Sequence, residues 1–162
     1  MAKVYLLSVC VMGIVLLGTL SGLLSMGFLF AYSGINAQLW YKGLNKLIDV
    51  PGTVFPIVWS VLYVLMGISL YLIIVARRNL SRPKAQKLFF MQLFLNLIWS
   101  VIFFGLRLPL LALLEMIALL AFIILYMRAS YNVSRAASYL FLPYLVWVVV
   151  AMVLNVGIVV MN

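Results

Sequence analysis

Residues 55–76 read FPIVWSVLYVLMGISLYLIIVA, a stretch without a single charge. At about 1.5 Å per helical residue it is long enough to cross a hydrocarbon core of about 30 Å. It does not alternate as a barrel strand does, and lipid offers a bare backbone no hydrogen-bond partners. It is therefore read as a transmembrane helix. Working outward, four more apolar runs follow the same logic: residues 4–31 before it, and 88–106, 109–127 and 136–160 after it. The expected fold class is an all-α membrane protein, a five-transmembrane-helix bundle. It forms one domain over residues 1–162, with one long connection, the outer loop 32–54.

Composition agrees. Hydrophobic residues make up 69% of the chain, charged residues 8%, and the mean hydropathy is +1.30. A soluble domain of this size has no way to hide that much apolar surface, so the lipid bilayer is the expected solvent. Eleven Lys and Arg against two acids give a net charge of +9. These bases sit in short stretches between apolar runs, as the positive-inside bias requires, so nucleic acid is not the expected partner. The chain has no His, and Cys10 is its one cysteine. A zinc site, a His-ligated haem and a Cys–His nucleophile are thereby excluded. Residues 4–31 are too long for a signal-peptide core and show no clear cleavage site, so they are read as a retained helix.

Lys and Arg also set the orientation. Lys3, Arg77, Arg78, Arg82, Lys84, Lys87, Arg128 and Arg135 fall on one side, and Lys42, Lys46 and Arg107 on the other. Eight against three puts the N-terminus in the cytoplasm of a bacterial cell membrane. Pro109 suits the first turn of the fourth span, whereas Pro143, inside the fifth, is expected to kink it.

Polar side chains within spans are costly and mark cavities or helix contacts. Three spans carry them at helical spacing: Trp59, Tyr63 and Gly67; Gln92, Asn96, Trp99 and Phe103; and Tyr144, Trp147, Ala151 and Asn155. Two readings stand side by side. The amides bond between helices and the aromatics are ordinary packing, or the three faces enclose an aromatic pocket in the outer half of the membrane, with the long loop as its lid. Indoles at graded depth, rather than in two interfacial belts, favour the pocket, and its flat walls suit a flat conjugated ligand. Glu115, the one acid within a span, is expected to pair with Arg107 or a neighbouring amide in a structural role. Gly18 and Gly22, with Ser25, form a GxxxG-type stripe suited to close helix approach, within the bundle or in a homodimer.

The ordered set Trp40-Tyr41, Pro51, Phe55-Pro56-Ile57-Val58-Trp59 with Tyr63, Gln92 to Trp99 with Phe103-Phe104-Gly105, and Pro143 to Trp147 with Ala151 and Asn155 resembles the TspO/MBR family. These are the tryptophan-rich sensory proteins of bacteria and the mitochondrial translocator protein, or peripheral benzodiazepine receptor. The resemblance covers about residues 28–162. It implies a five-helix fold, usually homodimeric, that binds porphyrins and, in mitochondrial members, cholesterol and benzodiazepine-type ligands. It also implies ligand-binding roles for Trp59, Tyr63, Asn96, Trp99, Trp147 and Ala151, with Tyr41 in the covering loop. The loop departs from the family pattern. Lys46-Leu47 stands where the family usually has Lys-Pro, and a single Pro51 precedes Gly52, so a looser lid is expected.

The expected function is an integral membrane receptor or carrier for protoporphyrin IX or another flat hydrophobic small molecule, with no cofactor required. The alternative is a light- and oxygen-driven porphyrin-degrading enzyme working through Trp59 and Trp147, since no triad, metal cluster or paired carboxylate is visible. A transporter is a third reading. The lack of an inverted repeat and of an ionisable path across the core weighs against it.

Overall fold

The computed structural model describes residues 2–23, 37–51, 54–77 and 80–162. Seven α-helices run through them: α1 (Ala2–Leu23), α2 (Ala37–Gly43), α3 (Val54–Val75), α4 (Arg82–Ser100), α5 (Pro109–Tyr131), α6 (Arg135–Tyr139) and α7 (Leu142–Met161). A π-helical turn, Val101–Gly105, prolongs α4. The described residues contain no strand. Four stretches are long and apolar enough to cross a membrane: Ile57–Val75, Arg82–Gly105, Pro109–Tyr131 and Arg135–Met161. The N-terminal helix adds a shorter apolar one. Residues 24–31 of the first expected span and residues 32–36, 52 and 53 of the loop lie outside the described residues, as does the packing of Gly18, Gly22 and Ser25.

Two boundaries differ from expectation for physical reasons. The third span begins at Arg82, not residue 88, with a proline in its first turn. The bases Arg82, Lys84 and Lys87 belong to the helix because their long stems let the charges reach the interface while the backbone stays helical. In the fifth span Pro143 does not kink a continuous helix. The helix stops at Tyr139, turns through Leu140 and Phe141, and restarts with Pro143 in the first turn of α7. A proline has no N–H and its ring excludes the carbonyl one turn earlier, so a break just before it satisfies both constraints. Pro109 opens α5 as expected.

α1 lies along α3 so closely that a Cβ on Gly67 would stand 2.6 Å from the Val11 Cα. Gly67 thus serves the α1–α3 contact, not the face it shares in sequence with Trp59 and Tyr63. α5 packs centrally, against α4, α6 and α7. The main core holds Ile73, Phe89, Ile123, Ala137 and Phe141, all without exposed surface. At one end Ser69 Oγ lies 2.7 Å from the Tyr126 hydroxyl and donates to the Ala137 carbonyl at 2.7 Å, tying α3, α5 and α6 together.

At the other end, the strap after α2 is clasped to the end of α7. The Asn45 amide N–H donates to Asn162 Oδ1 at 3.0 Å, and Asn162 Nδ2 donates back to the Asn45 carbonyl at 3.0 Å. Leu47 sits against Gly157, where a Cβ would collide with its side chain. Phe55, in the first turn of α3, meets Trp147 edge-on at 6.0 Å. Trp147 lies roughly four turns, about 21 Å, before Met161. The strap therefore descends along α7 before α3 begins.

Candidate functional site

The three faces read from sequence meet. Tyr63, from α3, donates its hydroxyl hydrogen to Asn96 Oδ1 on α4 at 3.0 Å. Asn96 Nδ2 donates to the Tyr144 hydroxyl on α7 at 3.0 Å. One carboxamide thus joins three helices, and Tyr63, Asn96 and Tyr144 are all buried. Trp59 closes this group on one side. Its indole stacks on Tyr63 with centroids 5.4 Å apart and planes at 28°, and meets Tyr144 edge-on at 6.2 Å.

A second aromatic group lies where α4 widens into the π turn. Trp99 stacks on Phe103 at 5.0 Å and 17°. Over these rings sits α2: Trp40 meets Phe103 at 5.7 Å, and Tyr41 meets Phe103 at 6.3 Å and Phe104 at 5.9 Å. Lys46 lies 4.6 Å from the Tyr41 ring centre and pairs with Asp49 at 3.2 Å. Burial first, and then the Asp49 charge, push the Tyr41 phenol above its ordinary range, so it stays protonated at neutral pH. The π turn adds one residue to the helical repeat, re-aiming Phe103 and Phe104 toward α2. The sequence signals it only weakly, through Gly105 and the turn at Arg107, whose φ is 57°.

The expected residues are therefore distributed over two groups. Trp59, Tyr63 and Asn96 belong to the first, and Tyr41 and Trp99 to the second. Trp99 is one turn beyond Asn96 on α4. Trp147 meets Phe55 at the flank, and Ala151 is partly buried against the main core. Trp59, Trp99 and Trp147 each have their own ring partners. Among the described residues the expected aromatic faces are thus set in ring-to-ring contact. Two open apolar clefts of about 280 Å³ each lie on the outward side of α3. One runs between α3 and α7, lined by Val58, Leu62, Pro143 and Trp147.

Several polar atoms at these faces lack hydrogen-bond partners among the described residues: both amide atoms of the buried Gln92, and the indole nitrogens of Trp99 and Trp147. Glu115 departs from expectation. Neither carboxylate oxygen has a hydrogen-bond partner among the described residues, so the anticipated bond to Arg107 or an amide is not seen there. Asn155 follows the packing reading. With its amide oriented to suit its neighbours, it donates to the Pro109 carbonyl at 3.2 Å and accepts from the Leu113 N–H at 3.3 Å. It thus binds α7 to the start of α5. Spacing places Tyr144 on a face with Trp147, but nothing in the sequence announces its bond to Asn96.

No cluster of His, Cys, Asp or Glu able to hold a metal occurs among the described residues. Comparison with known proteins adds identity to this geometry. The TspO/MBR family pattern matches residues 10–161. The chain is similar to a tryptophan-rich protein TspO of Archaeoglobus fulgidus, 39% identical over 153 residues, covering 91% of this chain and 96% of the relative. A tryptophan-rich protein TspO of Chlorobaculum tepidum is 40% identical over 113 residues, 69% of this chain and 72% of the relative. A tryptophan-rich sensory protein of Cereibacter sphaeroides is 36% identical over 117 residues, 72% of each chain.

Proposed function

This chain belongs to the TspO/MBR family of multi-pass membrane proteins, and from that premise we propose that it is a receptor or carrier for a flat, hydrophobic, porphyrin-like small molecule. The ligand enters between α3, α4 and α7, beneath α2 and its strap. In this reading α1 completes a single domain of five spans, the N-terminus is cytoplasmic, and the protein is a homodimer. Trp59, Tyr63 and Trp99 offer stacking surfaces, Asn96 a polar contact, Trp147 and Ala151 one wall, and Tyr41 the cover.

The observation that carries the proposal is the Tyr63–Asn96–Tyr144 bridge with Trp59 stacked across it. A polar group held at the meeting point of three apolar helices, and walled by rings, has the makeup of an orienting ligand contact. Because Trp59 and Trp99 already stack on rings of the protein, binding exchanges ring–ring contacts for ring–ligand contacts and shifts the strap, a population shift toward an open form. Equilibrium titration of protoporphyrin IX into the purified protein tests this. Saturable quenching of Trp fluorescence is expected, and a linear response that never saturates would overturn the proposal.

The Trp59–Tyr63 stack favours one second reading, degradation of the porphyrin by light and oxygen through Trp59 and Trp147. Product analysis after illumination decides it. Identical products from wild type and the double Trp→Phe variant would remove Trp chemistry from consideration.

A further inference from the structure

The chain has two acids, and they are treated differently. Asp49 is exposed and paired with Lys46. Glu115, on α5, has a partly exposed residue surface but two wholly buried carboxylate oxygens, neither bonded to a donor among the described residues. The acid therefore turns its polar tip away from the outside and toward the interior, where an uncompensated carboxylate is hardest to keep. The helix that carries it, α5, packs against both α4 and α7, the helices of Asn96 and Tyr144.

A second orphaned group lies at a matching level on α4. α4 and α5 run antiparallel, with Phe89 against Tyr126 at 5.6 Å and Phe103 clustered with Ala112. That register sets Trp99 level with Met116, next to Glu115. The Trp99 indole N–H is buried and has no acceptor. A donor and an acceptor thus lie at one level on adjacent helices, and they do not bond to each other. Packing alone gives no reason to bury both, whereas a ligand that brings its own polar groups does.

We propose that Glu115 is a binding residue for the ligand, selecting flat apolar molecules that carry a protonated nitrogen or an N–H donor over those that carry an acid at that edge. The inference rests on the binding reading above and adds the ligand's chemical class. The ligand nitrogen replaces the missing donor at the Glu115 oxygens while its rings lie against Trp99. In so apolar a setting a charge-assisted hydrogen bond is strong, and a carboxylate on the ligand at this place is repelled.

The test uses full-length protein in a neutral detergent with three probes: 9-aminoacridine, a flat cation with N–H donors; 9-anthracenecarboxylate, a flat anion of similar size; and protoporphyrin IX. Wild type is expected to bind the cation at least about tenfold more tightly than the anion, against the pull of its own positive net charge. Glu115→Gln, nearly the same size, should lose about tenfold in cation affinity and narrow the gap. Equal affinity of wild type for the two acridine-sized probes, a comparison that needs no variant, overturns the inference. So does a folded Glu115→Gln protein that binds the cation as wild type does. If protoporphyrin binds saturably in either of those cases, the binding reading stands and only the role of Glu115 falls. If no probe saturates, both fall together.

Discussion

The Tyr63 hydroxyl and the Asn96 side-chain oxygen, 33 positions apart in the chain, lie 3.0 Å apart in the buried interior. Because the same carboxamide also reaches Tyr144, Asn96→Leu leaves two tyrosine hydroxyls without their partner. Hydrogen bonds between membrane helices average about 0.6 kcal/mol, and the largest reach about 1.7. Losing the pair should cost roughly 1–2 kcal/mol. Unfolding in mixed micelles measures it, and combining Asn96→Leu with Tyr63→Phe should cost less than the sum of the two changes. Strict additivity would mean the bridge is not formed.

Glycines make two close approaches with different consequences. A Cβ at Gly67 meets backbone, the Val11 Cα at 2.6 Å, whereas at Gly157 it meets the Leu47 side chain. Gly67→Ala should destabilise by about 1–3 kcal/mol, since whole helices must separate. Gly157→Ala should cost less, and Leu47→Ala should restore it. Thermal unfolding of the four proteins gives the order. Equal losses at the two glycines would contradict it.

The Asn45–Asn162 clasp predicts a local effect instead of a global one. Replacing Asn162 by Ala removes the donor and the acceptor that hold the strap. Amide exchange at residues 45–50 should then speed up by about tenfold while the α5 core stays protected. A uniform change along the chain would show that the clasp does not act on the strap alone.

The Lys46–Asp49 pair predicts a near-null result. The Asp49 side chain is 87% exposed, and Lys46 also rests on the Tyr41 ring. Exposed ion pairs contribute about 0–1 kcal/mol, so Asp49→Asn should move the melting temperature by no more than about 4 °C, and a larger drop would contradict this.

Much of the fold was legible because apolar length is a strong signal in a lipid solvent. The apolar runs located every spanning helix among the described residues, and the four-residue spacing of Asn96 after Gln92 placed both amides inward. What was not legible depends on contacts between distant segments. Gly67 shares a face with Tyr63 by spacing, yet its lack of a side chain is used by α1. The π turn at Val101–Gly105 depends on what α2 sets against Phe103, and no periodicity announces it. Pro143 signals a disturbed helix, but whether the chain kinks or restarts is decided by the Leu140–Phe141 turn. The expected partner of Glu115, Arg107 or a neighbouring amide, rests on sequence proximity alone, and among the described residues neither carboxylate oxygen is hydrogen-bonded.

The most direct measurement is a crystal structure of the protein soaked with protoporphyrin IX. The account predicts a macrocycle between α3, α4 and α7, in van der Waals contact with Trp59 and Trp99, with the strap displaced and Asn96 within hydrogen-bond reach. A macrocycle found only on the lipid-facing side of the helices, with the Trp59–Tyr63 stack undisturbed, would contradict it.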